Sequence, residues 1–149
     1  MKQELLSHRM ERFRERCAAA GLTVTHQRAV IYETLCAASS HPTPEAVYEA
    51  VREKIPAISL ATVYKSIRTF LDVGVLREVN LLHDTQRLDA NLAPHHHLVC
   101  ERCRGVVDVS EDTLAPLEVR GRLPGKFRAR QFRVEILGLC AQCSSLNDS

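Results

Sequence analysis

"ISLATVYKSIRTFLDVG" runs from Ile58 to Gly74, and how it is read decides the fold of the first half of the chain. Leu60, Val63, Ile67, Phe70 and Leu71 recur every three or four residues, the period of a helix with one apolar face. Ser59 stands where a hydroxyl can accept a first-turn N–H. Gly74 stands where a helix ends in a left-handed residue. Thr62, Lys65, Ser66 and Thr69 lie off the apolar stripe, and Tyr64 sits at its edge. A helix with such a small polar and basic outer face, entered through a short loop from a preceding helix, can occupy a major groove.

Working outward, three more amphipathic helices precede it. Leu6, Met10, Phe13 and Cys17 share one face of the first, which Gly21 ends. Val30, Ile31 and Leu35 line the second, with Thr25 as its cap. Val47, Val51 and Ile55 line the third, where Thr43 caps, Pro44 fits the first position and Glu45 suits the positive helix end. After Gly74, "VLREVNLLHDTQRLDANL" reads as two strands around the turn "HDTQ". Helices followed by such a hairpin make a winged helix-turn-helix. A plain four-helix bundle has the same periodicity, and one basic side chain between apolar positions is ordinary surface.

The chain has 149 residues, 45% apolar and 26% charged, the size of one large domain or two small ones. No apolar run approaches the roughly 20 residues of a membrane span. The N-terminus "MKQELLSHRMERFRERC" lacks a signal-peptide core, so a cytoplasmic protein without membrane partners is expected. The net charge of +2 says little about partners. Up to Leu82 there are 11 Lys/Arg against 9 Asp/Glu, and beyond it 9 of each, which allows DNA binding without showing it.

From Pro94 the pattern changes. "HHHLVC", "VVDVS" and "RQFRVEILGLC" are strand-like, and "DTLAPLEVRGRL" reads as a short helix. The expected fold is therefore α+β, with a winged-helix domain over residues 1–90 and a small α/β domain over 91–149.

Four of the six cysteines form the pairs Cys100-x-x-Cys103 and Cys140-x-x-Cys143; Cys17 and Cys36 stand alone on apolar helix faces. In a reducing compartment two such pairs suggest zinc rather than disulfides. A closed four-thiolate shell is structural, and it would staple the last strand of the domain to its first. A redox pair or unused thiols are the alternatives. In a strand, alternate side chains share a face. His95 and His97 therefore point one way, and His96 points the other way with Cys100. The histidines and the thiols can thus serve two metals. His95 and His97 need further ligands, for which Asp89, Asp108 and His41 are candidates. Asp108 lies on a natural hairpin partner of the histidine strand. His41 stands before a proline at a helix entry, where a histidine is usually part of a surface turn.

"HPTPEAVYEAV", "ISLATVYKSIRTFLDVGVL", "RLD", "HHHLVCERC" and "GLCAQC" occur in this order and at separations that resemble the ferric uptake regulator family of metal-dependent repressors. The likeness covers Phe13 to Cys143. It implies a homodimer with an N-terminal DNA-binding domain and a C-terminal dimerisation domain holding structural zinc (Zn2+). By the same resemblance the zinc ligands are Cys100, Cys103, Cys140 and Cys143. The regulatory ligands are His41, Asp89, His95, His97 and Asp108. Ser59, Thr62, Tyr64, Lys65 and Arg68 fall on the DNA-reading segment, with Tyr64 and Lys65 for base and backbone and Arg68 for phosphate.

Three imidazoles and two carboxylates suit Fe2+ or Mn2+ better than a thiolate site would. Aspartate at both carboxylate positions resembles the peroxide-responsive branch, whereas the iron-uptake branch more often has glutamate at the first. "FRARQFRVEILGLC" has no histidine, against a third metal site of the kind some iron-uptake regulators carry. The expectation is a repressor of palindromic operator DNA that senses peroxide by oxidation of His41 or His95, and not a turnover enzyme. The near alternative is an iron- or manganese-responsive repressor of metal-uptake genes without peroxide chemistry. A metalloenzyme and a zinc-stapled interaction module are the rivals from other classes.

Overall fold

The computed structural model describes residues 2–38, 41–79 and 86–145. It divides into two compact units, Met1–Leu92 and Ala93–Ser149, each built on its own terms.

The first unit begins with four helices: α1 (Lys2–Ala19), α2 (His26–Ala37), α3 (Pro44–Lys54) and α4 (Leu60–Val73). The caps sit where hydroxyls are available. Thr25, Thr43 and Ser59 accept from the N–H groups of Arg28, Ala46 and Thr62, satisfying donors that a helix start otherwise leaves orphaned. Gly74 closes α4 at φ 82°, and its N–H and that of Val75 return to the Phe70 carbonyl. Two short antiparallel strands follow, β1 (Arg77–Val79) and β2 (Arg87–Asp89), with Glu78 opposite Leu88. They form the wing. Of the expected turn "HDTQ", His83, Asp84 and Thr85 lie outside the described residues.

An aromatic triad centres this unit. Phe13 of α1 stacks on Tyr32 of α2 with ring centres 4.1 Å apart, and Phe70 of α4 meets both edge-on at 5.3 and 5.6 Å. Such geometry suits the ring quadrupoles. The buried Tyr32 hydroxyl donates to the Val75 carbonyl at 3.0 Å, tying the end of α4 to the centre. Val47, Val51, Val63 and Ile67 fill the remaining core. Two positions on α4 differ from the sequence reading. Leu60, at the first helical position, stays 38% exposed, while Ser66 is buried between Val63 and Phe70. Ser66 lies three residues from Val63 and four from Phe70, on their side of the helix, and a small side chain fits where a larger polar one would not.

The second unit is a three-stranded sheet ordered β4-β3-β5, where β3 is His95–Cys100, β4 is Val106–Ser110 and β5 is Glu135–Gly138. β3 and β4 are antiparallel, with His97 opposite Asp108; β3 and β5 are parallel, with Cys100 opposite Gly138. The last strand begins at Glu135 rather than at Arg130. "DTLAPLEVRGRL" is not a helix: a single 3₁₀ turn at Glu111–Thr113 gives way to irregular chain. Pro116 supplies no N–H and Gly121 favours no helix, so nothing propagates the turn. A short helix that the sequence reading lacked, α5 (Ala141–Ser145), carries Cys143.

Candidate metal centres

The four thiols come from both ends of the second unit. Cys100 closes β3 and Cys103 follows in a tight turn. That turn is fixed by the Arg104 N–H on the Cys100 carbonyl at 2.9 Å and the Cys100 N–H on the Gly105 carbonyl at 3.0 Å. Arg104 holds φ 63°, and a Cβ on Gly105 would stand 3.4 Å from the Cys103 sulfur, so glycine keeps the turn open beside the thiol. Cys140 follows β5, which is hydrogen-bonded alongside β3, and Cys143 lies one turn further on α5. The Glu101 N–H on the Gly138 carbonyl and the Arg102 guanidinium on the Cys143 carbonyl bind the two pairs together.

All four sulfurs lie within 4.8 Å of one another. Zinc at about 2.3 Å from each of four tetrahedral thiolates sets the sulfurs roughly 3.8 Å apart. The Cys103–Cys140 sulfur separation is 3.8 Å, so the set fits zinc. The backbone N–H groups of Cys140 and Cys103 aim at the Cys100 sulfur and lower its thiol to about 6. Cys143 is pushed up to about 12, chiefly because its proton bonds the neighbouring Cys140 sulfur. The nest favours one thiolate and resists the next, and a divalent cation removes that resistance.

A second cluster lies on the other face of β3. The Nε2 atoms of His95 and His97 approach to 3.1 Å, and Asp108 Oδ1 stands 3.6 and 3.3 Å from them. His95 Nδ1 lies 2.6 Å from the Ala93 carbonyl. A carbonyl can only accept, so Nδ1 carries the proton and Nε2 presents its lone pair toward His97. His96 faces the opposite way, where its Nδ1 accepts from the Val134 N–H at 3.1 Å. The alternation expected from the strand period therefore separates a nitrogen–oxygen cluster from the thiolate side.

His41 and Asp89 meet within the first unit. His41 Nδ1 is 3.9 Å from Asp89 Oδ1, and both residues are buried. The loop before α3 is laced to β2: the Leu88 N–H donates to the Pro42 carbonyl and Arg87 to that of His41. Asp89 Oδ1 also accepts the Asn91 N–H at 2.8 Å. The sequence "DAN" carries the signal for this local Asx turn, whereas Arg87 has no sequence signal.

On α4 the hydroxyls of Ser59 and Thr62 are 2.8 Å apart within the helix cap. Tyr64, Lys65 and Arg68 are exposed. The Tyr64 hydroxyl donates to Glu45 of α3, a contact the sequence reading missed. It holds the Glu45 carboxyl below its usual range and raises the Tyr64 phenol.

A winged-helix unit followed by a sheet unit that carries a four-sulfur nest and a separate imidazole–carboxylate cluster defines a class of two-unit metal-binding regulators. The ferric uptake regulator family model matches residues 19–136, and the chain belongs to that family. It is 34% identical over 140 residues, 94% of this chain and 93% of the other, to the peroxide-responsive repressor PerR of Staphylococcus epidermidis. The fold is shared with the Helicobacter pylori ferric uptake regulator Fur at TM-score 0.68 and 18% identity, covering 93% of each chain. It is also shared with a zinc uptake regulator complexed with zinc and DNA at TM-score 0.62 and 22% identity, covering 100% of this chain and 99% of that one.

Proposed function

We propose that this protein is a metal-dependent transcriptional repressor that senses peroxide. The convergence of His95 Nε2, His97 Nε2 and Asp108 Oδ1 carries the reading. Two imidazole lone pairs and a carboxylate without sulfur suit Fe2+ or Mn2+. In this reading His41 and Asp89 join His95, His97 and Asp108 as regulatory ligands, and the metal favours the form that fits a palindromic operator. Cys100, Cys103, Cys140 and Cys143 hold structural zinc. The small second unit leaves Leu98, Val107, Leu137 and Leu139 between 38% and 59% exposed, and a second copy of the chain covers them.

Tyr64, Lys65 and Arg68 meet DNA, while Ser59 and Thr62 shape the helix start and place its N–H groups near phosphate. Held by these residues, Fe2+ would supply the redox chemistry that splits the peroxide O–O bond, with peroxide as the oxidant: one oxygen goes to an imidazole and the other leaves as water. The protein's own part is to hold imidazoles beside that chemistry: an oxygen added to His41 or His95 withdraws the lone pair, the ligand is lost, and metal-dependent DNA binding ends. Two relations support this reading, the donor set and the likeness to a peroxide-responsive repressor.

The test is DNA affinity of the Fe2+ and Mn2+ forms on a palindromic A·T-rich duplex before and after brief low peroxide, with peptide mass spectrometry in parallel. The expected result is release of DNA by the Fe2+ form alone, with one oxygen added at His41 or His95. Metal-dependent binding that ignores peroxide in both forms overturns the sensor and leaves an iron- or manganese-responsive repressor of uptake genes.

A further inference from the structure

Between Glu118 and Glu135 the chain holds six cations, Arg120, Arg122, Lys126, Arg128, Arg130 and Arg133, and no acid. Outside this stretch fourteen Lys/Arg stand against eighteen Asp/Glu, a net of −4. The first unit, residues 1–92, has twelve cations and eleven acids and is nearly neutral. The positive character of the protein is therefore concentrated in one segment of the second unit, away from the recognition helix in sequence.

Every one of the six cations is solvent-exposed. Arg120 reaches Glu118 at 3.9 Å, with both side chains open to solvent. Among the described residues the other five make no ion pair. Arg130 lines a cavity whose wall also includes Glu111 and Asp112. Apart from one 3₁₀ turn at Pro124–Lys126, the segment has neither helix nor strand, so its charges are not spread by a regular scaffold. Residues two apart in an extended chain are about 7 Å apart along it, so Arg120 and Arg122, Lys126 and Arg128, and Arg128 and Arg130 are spaced on the scale of the Debye length, about 8 Å at physiological salt. They repel one another unless a polyanion brings counter-charge. Five of the six are arginines, whose planar forks match phosphate oxygens in pairs.

We infer that residues 119–134 form a second, sequence-independent contact for the phosphates of duplex DNA, separate from the winged helix. The choice of DNA over another polyanion rests on the proposed repressor function; the charge segregation does not. Such a contact raises affinity for any duplex, and with it the local supply of sites from which an operator is found. It needs no regulatory metal.

The test uses the full zinc-loaded protein and a triple variant, Lys126→Gln with Arg128→Gln and Arg133→Gln, which leaves Arg130 and its cavity intact. Fluorescence anisotropy follows binding to a random 30-base-pair duplex and to a palindromic A·T-rich duplex while sodium chloride is varied. Each lost phosphate contact lowers the log–log salt slope by about 0.9, so the variant's slope should fall by about two to three on both duplexes. Its affinity at low salt should drop roughly tenfold or more. A change in the general field alters affinity without removing released counterions in this proportion, so the slope identifies the contact. Unchanged zinc content and circular dichroism confirm that the variant is folded.

An unchanged slope overturns the inference even if metal-dependent binding to the palindrome is intact. Loss of metal-dependent palindrome binding in the parent overturns the repressor reading, and salt-sensitive binding of the random duplex through this segment would survive it. Tighter parent binding to phosphatidylglycerol vesicles than to duplex at equal salt overturns the inference in favour of a membrane surface.

Discussion

Asp108 shows how much one side-chain length can decide. It is 39% exposed, and one of its oxygens serves both His95 and His97. Asp108→Glu keeps the charge and still reaches a divalent ion, but alters the approach of the carboxylate and, under the proposed sensing mechanism, closes the position that peroxide would need. Metal-dependent DNA binding should survive while release by low peroxide is lost; DNA affinity and histidine oxidation before and after a peroxide pulse check this. Equal oxidation and release in the variant removes Asp108 from control of the reaction. Cys36 offers a prediction with a sign fixed by burial. Desolvation raises its thiol from 9.0 to about 11. The unfolded chain therefore loses this proton first, and the stability that Cys36 contributes declines from pH 9 and is gone by about pH 11. In Cys36→Ala the melting temperature should fall less between those values, as thermal denaturation across the pH series would show.

At the scale of elements, Gly74 carries the junction between α4 and the wing. Its φ of 82° is left-handed, while an added Cβ would meet only the Arg16 guanidinium at an ordinary 3.6 Å. The cost of Gly74→Ala is thus conformational, about 1–2 kcal/mol, and should lower Tm by several degrees without changing the zinc content. The caps, the helix faces and the glycine stop were legible because each is a local rule read over one turn. Ser66 and Leu60 were not: an apolar pattern assigns faces by hydrophobicity, and here a small polar residue is buried while a leucine at the first turn is not. The thiolate spacing and the strand alternation of His95, His96 and His97 were legible for the same local reason. Two other contacts join residues remote in sequence and had no pattern to reveal them: Arg87 on the His41 carbonyl and the Tyr64 hydroxyl on Glu45. The helix expected in "DTLAPLEVRGRL" is absent because that stretch holds a proline and a glycine, which stop the turn at Glu111–Thr113 from propagating.

For the whole molecule, the two units depend on different forces. The first has an aromatic and aliphatic core. In the second, Val99, Cys100 and Cys143 are the buried apolar residues among those described. A unit of this size seldom folds on so little core without a metal or a partner. Cys140→Ser should therefore lose zinc and the second unit's order, and with it the proposed dimer, while the helices of the first unit persist. Metal analysis, sedimentation and circular dichroism would show the split; a fully zinc-loaded dimer would contradict it.

The parallel pairing of β3 with β5 has a consequence in time. β3 ends at Cys100, and its partner strand begins at Glu135. A chain made from its N-terminus can complete the helical unit first, yet it carries only two of the four thiols until Cys140 is synthesised, and the set is complete only at Cys143. During that interval β3 can pair with β4 but lacks its parallel partner β5, and Cys100 and Cys103 lack their mates. This is the stage at which a nascent chain is most open to oxidation and to edge-to-edge association. Zinc supply during synthesis should then govern the yield of protein able to bind DNA more strongly than zinc supply afterward.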